Sequence, residues 1–173
     1  MRRLPKLLAL AAATLTLTGH AMAQEFKLGG ITVIAPWARA TPGGVKVAGA
    51  FLEIRAAADV EDNLIGARSP AAGTVELHNH VNDGGVMQMR KLDAIPIKGA
   101  QSVVLKPGGL HIMLMDIKAP LKEGDKVRFT LVFEKAGELT IEVPIAKIGA
   151  AGPNASTGSG TGMGAGAGSG SGR

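Results

Sequence analysis

The sequence predicts an all-β protein, a single-domain antiparallel β-sandwich or barrel. Three observations carry this expectation. Apolar and polar residues alternate over short stretches, most cleanly at Val127, Phe129, Leu131 and Phe133, which is the period of a half-buried strand. These stretches recur at close spacing and are separated by turn-forming clusters such as Pro42-Gly43-Gly44, Asn82-Asp83-Gly84-Gly85 and Pro107-Gly108-Gly109. No stretch carries a convincing helical period.

Taken in order, the strands are expected at residues 31–34 (closed by Pro36), 45–55, 64–68, 74–81, 86–93, 102–106, 110–117, 126–134 and 139–145. Val47, Gly49, Phe51 and Glu53 should share one face of the second, because side chains alternate across a strand. The fourth and fifth flank an Asp-Gly, a strong hairpin signal. With Asp83 and Gly84 as the two loop residues, His80 faces Met87 and His78 faces Met89. The last two strands form a second hairpin around Ala136-Gly137. Residues 24–148 suffice for one core.

The flanks are of another kind. Arg2, Arg3 and Lys6 precede an apolar run, and Ala21-Met22-Ala23 gives a small-x-small pattern. Residues 1–23 therefore read as a cleaved signal peptide, shorter in its apolar part than a membrane span. No stable membrane insertion is expected after cleavage, and the mature protein is expected to be exported. The 173 residues contain no cysteine, which excludes a cysteine-linked lipid anchor and thiol redox chemistry. Residues 149–173 are almost entirely Gly, Ser, Ala and Thr, a composition that cannot bury apolar surface and predicts a disordered tail. Loss of Arg2, Arg3 and Lys6 with the signal takes the formal charge from +5 to +2. With one Trp, no Tyr and no basic run, no nucleic-acid footprint remains.

Three of the four histidines and most of the methionines fall between residues 75 and 115. His111, Met113 and Met115 share a strand face by alternation, as do His78 and His80, and Met87 and Met89. Thioether is a soft ligand and imidazole a borderline one, so two of each favour Cu(I), with Cu(II) also admitted. Structural zinc usually takes cysteine with histidine, and calcium or magnesium takes oxygen ligands; this stretch has no cysteine and no carboxylate cluster. A blue-copper electron-transfer site needs a cysteine and is excluded. His80, Met87 and Met115 remain as outer donors or packing residues. No nucleophilic triad, paired carboxylates or phosphate-binding glycine loop is visible, so an enzyme is not expected.

Ten residues separate His78 from Met89, twenty-one separate Met89 from His111, and one separates His111 from Met113. In this spacing the chain resembles the periplasmic copper chaperones that supply the dinuclear copper centre of cytochrome c oxidase. Ala35-Pro36-Trp37-Ala38-Arg39-Ala40-Thr41, Val75-Glu76-Leu77-His78, Asp83-Gly84-Gly85-Val86-Met87 and Pro107-Gly108-Gly109-Leu110-His111-Ile112-Met113-Leu114 extend the resemblance. It implies a cupredoxin-like Greek-key β-sandwich, Cu(I) held by His78, Met89, His111 and Met113, and delivery to an acceptor such as the oxidase copper subunit. Thiol-containing assembly proteins are further implied partners. A periplasmic copper buffer or resistance protein would present the same ligands and is the alternative. The His- and Met-rich extension of some family members is missing here, where the tail holds only Met163.

Overall fold

A computed structural model describes residues 24–153; the expected signal peptide and residues 154–173 lie outside it. The chain forms eleven strands: β1 (Glu25–Leu28), β2 (Ile31–Arg39), β3 (Val47–Ala56), β4 (Asp62–Arg68), β5 (Thr74–Asp83), β6 (Val86–Leu92), β7 (Ile95–Ile97), β8 (Ser102–Leu105), β9 (His111–Met115), β10 (Lys126–Phe133) and β11 (Gly137–Ala146). The described residues contain no helix, so none is long and apolar enough to cross a membrane. All nine expected strands are present. The two that were not anticipated, β1 and β7, are four and three residues long, too short for a period to show.

The strands run in the order β6-β5-β9-β3-β2-β11-β10-β4-β7, with β1 paired to β2 and β8 to β3. The fold is the expected cupredoxin-like all-β architecture. The chain crosses between the β6-to-β2 half and the β11-to-β7 half at β3–β4, β4–β5, β6–β7, β7–β8 and β9–β10. The two halves bury one core: Ile54, Leu77, Ile112 and Leu114 from the first meet Leu64, Phe129, Leu131, Phe133 and Ile141 from the second. Strand alternation sends these residues inward and leaves their neighbours outside.

Three local expectations are corrected. Pairing is not wholly antiparallel, because β11 joins β2 in parallel through Ile145↔Ala38 and Ala146↔Arg39, which stitches the two halves together. The strand expected to close at Pro36 continues to Arg39. Ala35 takes φ 46° and the register with β3 shifts between Ile34 and Trp37, so a bulge absorbs the proline that cannot donate to a ladder. The tail does not begin as loose chain at residue 149: Ala150 is buried against Trp37 and Phe51, and its carbonyl accepts from Arg39 Nε at 2.8 Å.

Candidate metal centre

The site forms on the outer face of β6-β5-β9-β3. Ile112 and Leu114 of β9 and Leu77 of β5 enter the core, so their alternates Glu76, His78, His80, His111, Met113 and Met115 stand on the opposite face. β9 lies between β5 and β3. Its register puts His111 directly across from His78, Met113 across from Glu76 on one side and Gly49 on the other, and Met115 across from Thr74 and Val47.

The β5–β6 hairpin differs from the expected register. Its loop residues are Gly84 and Gly85, with Asp83 paired to Val86. The glycines have φ 61° and 89°, the positive values that both central positions of a type I′ turn require and that cost a glycine little. Asn82 Oδ1 accepts from the Gly85 N–H at 2.8 Å and fixes the turn. His80 therefore faces Met89, His78 faces Lys91, and Met87 faces Asn82. The expected pairs are each displaced by one ladder step along a face, and the face itself is kept: His78, His80, Met87 and Met89 all lie on it.

Three imidazoles cluster there. His80 stacks on His111 with ring centroids 4.9 Å apart and an interplanar angle of 24°, and His78 lies 5.8 Å from His111. Phe51, 6.4 Å from His111, walls the cluster on the β3 side and itself packs on Trp37 at 4.5 Å. Gly49 makes room for this ring, since a Cβ there would stand 3.0 Å from Phe51 Cζ. His111 is buried. Burial pushes its pKa below the ordinary histidine value, and the neighbouring His80 and His78 act in the same direction against the Gly109 carbonyl.

The ring nitrogens are individually defined. His111 Nδ1 donates to the Gly109 carbonyl at 2.9 Å, which leaves Nε2 as the lone-pair nitrogen. His78 Nε2 lies 2.9 Å from Glu76 Oε2. The Nδ1 atoms of His78 and His80 are buried with no hydrogen-bond partner. Unpaired buried nitrogens are costly, and coordination of a soft or borderline metal would satisfy them. Among the described residues no three His, Asp or Glu side chains are arranged to hold a metal by themselves, and the thioethers on the same face are the further donors at hand.

The structure brings the four expected ligands onto one face, at unequal separations. His78 and His111 are adjacent, and Met113 is diagonal to His78. Met89 sits one ladder step nearer the hairpin tip, beside His80. It is four strand residues and two strand spacings from Met113, roughly 16 Å between Cα atoms. The two thioethers thus flank the imidazole row from opposite ends. Met113 is partly buried, whereas Met89 is 45% exposed on the edge strand and Met87 is 56% exposed. His80, left outside the ligand set on spacing alone, is part of the imidazole cluster; its i, i+2 relation to His78 was the available signal.

Residues 31–145 match the family described as "Putative lipoprotein LpqE-like". A Leifsonia xyli subsp. xyli protein bearing the name "Putative lipoprotein Lxx21020" is 30% identical over 149 residues, 86% of this chain and 89% of that protein. An uncharacterized Rickettsia prowazekii protein is 32% identical over 117 residues, 65% of each. Among solved structures, the copper-bound PCuAC domain from PmoF2 is 33% identical with a TM-score of 0.62, and the match covers 72% of this chain and 98% of that domain. The apo PCuAC domain from PmoF1 is 30% identical with a TM-score of 0.62, over 72% and 99%. A Deinococcus radiodurans protein solved in its Cu(I) form, 24% identical with a TM-score of 0.56 over 71% and 80%, shares the fold. The lipoprotein name is that of the relatives and the family.

Proposed function

The chain belongs to the LpqE-like family, and from its imidazole–thioether face we propose that it is an exported, periplasmic Cu(I) metallochaperone. It binds one Cu(I) through His78, His111 and Met113, with Met89 joining as the exposed edge of the β5–β6 hairpin bends in over the imidazole row, and passes it to an acceptor, the dinuclear copper centre of cytochrome c oxidase. The observation that carries this reading is the opposed pair His78↔His111 with buried, unpartnered imidazole nitrogen and thioethers on the same face. Likeness to a copper-bound PCuAC domain over nearly its whole length supports it.

The chemistry follows from the donors. Two neutral imidazoles and two thioethers suit a soft monovalent ion and contribute no charge, so the site holds Cu(I) without oxygen ligands. Met89 reaches the row from the exposed hairpin edge, and that edge is where an acceptor's ligands can displace it. A site open on one side, with one ligand on a two-stranded rim, favours transfer over sequestration.

The test is an anaerobic Cu(I) titration, with X-ray absorption on the loaded protein, followed by mixing with an apo oxidase copper domain. The expected result is one Cu(I) per chain in a sulfur and nitrogen shell, and passage to the oxidase domain. A shell of oxygen ligands overturns the site. A correct shell with no transfer overturns delivery and leaves copper buffering.

A further inference from the structure

The imidazole of His78 is held by a carboxylate. Glu76 lies two residues earlier on the same face of β5, and its Oε2 is 2.9 Å from His78 Nε2. Its other oxygen, Oε1, accepts from Lys91 Nζ at 2.7 Å. Lys91 is the residue directly across the ladder from His78, so the hairpin register that separates His78 from Met89 delivers this ammonium instead. The Glu76 and His78 side chains are only 17% and 13% exposed.

An ionised carboxylate only accepts hydrogen bonds. A neutral His78 facing Glu76 must therefore carry its proton on Nε2, which leaves the lone pair on Nδ1. That Nδ1 is buried and has no partner in the protein. His111 is set in the opposite sense, with its Nδ1–H on the Gly109 carbonyl and its lone pair on Nε2.

We infer that Glu76, anchored by Lys91, is a positioning residue that selects Nδ1 of His78 as the copper-binding nitrogen, so that the two opposed histidines ligate through different atoms, Nδ1 of His78 and Nε2 of His111. This rests on the reading of both histidines as copper ligands. Metal-bound histidines commonly hand their other ring N–H to a carboxylate or a carbonyl, which fixes tautomer and ring orientation. Here each kind of partner is used once. The sequence pattern Glu76-x-His78 places the carboxylate by strand alternation alone.

The experiment is long-range 1H–15N correlation NMR on the ¹⁵N-labelled protein, apo and after one equivalent of Cu(I) under anaerobic conditions. Apo His78 is expected as the Nε2–H tautomer and His111 as the Nδ1–H tautomer. Cu(I) should then move the His78 Nδ1 and His111 Nε2 resonances while the opposite nitrogens stay protonated. Glu76→Ala should scramble the His78 tautomer, leave that of His111 intact, and weaken Cu(I) binding by about 10–100-fold; Glu76→Gln should recover part of the loss. Apo His78 protonated on Nδ1, Cu(I) on His78 Nε2, or an unchanged His78 tautomer in Glu76→Ala would each overturn the inference. Cu(I) that perturbs neither imidazole sinks the copper site itself, a different outcome. The wild-type spectra decide the nitrogen even if a variant folds poorly.

Discussion

The two thioethers should not contribute equally to Cu(I) affinity. Met113 sits on β9 between β5 and β3, partly buried, opposite Glu76 and Gly49. Its rotamers are restricted before copper arrives. Met89 is 45% exposed on β6, which has a strand on one side only. Freezing a free methionine costs up to about 1.5–2 kcal/mol, and copper must supply that cost at Met89 far more than at Met113. At 1.4 kcal/mol per tenfold, Met113→Leu should weaken Cu(I) binding roughly 10–30-fold more than Met89→Leu. Leucine keeps the apolar bulk, so neither change should cost more than about 1.5 kcal/mol of apo stability. Anaerobic competition against a Cu(I) chelator measures the affinities, and thermal unfolding of the apo variants checks the fold. Equal losses, or a larger loss at Met89, would refute the reasoning and mean that the hairpin rim is already ordered around its sulfur.

Two further outcomes concern the scaffold. Asp62 is buried; burial pushes its carboxyl up, but N–H donation from Lys135, Ala136 and Asn63 outweighs this and holds it below the usual carboxylate value. A depressed carboxylate stabilises the fold above its unfolded pKa, and that stability is lost as pH falls through the folded value. Asp62→Asn should therefore cost roughly 1–3 kcal/mol at neutral pH, with the gap to wild type narrowing in acid, as read by urea unfolding across pH; a pH-independent gap contradicts the assignment. At Gly99 a Cβ would lie 2.3 Å from the Ala58 carbonyl oxygen and 2.7 Å from that of Ala57. Because both are backbone, Gly99→Ala should lower stability by about 1–3 kcal/mol, and an unchanged melting temperature would show that the loop yields.

Alternation made most of the fold, and which histidines and methionines share the candidate face, legible in the sequence. Val127 to Phe133 could only be a half-buried strand, and His111-x-Met113 could only share a side. Register was less legible, because it depends on which two residues turn. Asp83-Gly84 and Gly84-Gly85 both satisfy hairpin chemistry, and the second prevails because both central positions need positive φ and glycine meets that at little cost. The slip keeps every donor on its face while exchanging Met89 for Lys91 opposite His78. The parallel β11–β2 pair was illegible for another reason: only two residue pairs make it, and no local pattern encodes a contact more than a hundred residues apart. The burial of Ala150 was hidden by composition, since a Gly-Ala stretch looks the same whether or not one alanine finds a slot.

That slot has a consequence in time. Trp37, near the start of the described residues, and Ala150, near their end, meet on Phe51, whose ring walls the imidazole cluster. Residues 78 to 113 leave the ribosome well before Ala150 does. The wall of the imidazole cluster is thus finished by one of the last of the described residues to arrive. A half-made chain displays every imidazole and thioether of that face but not the complete surface around them.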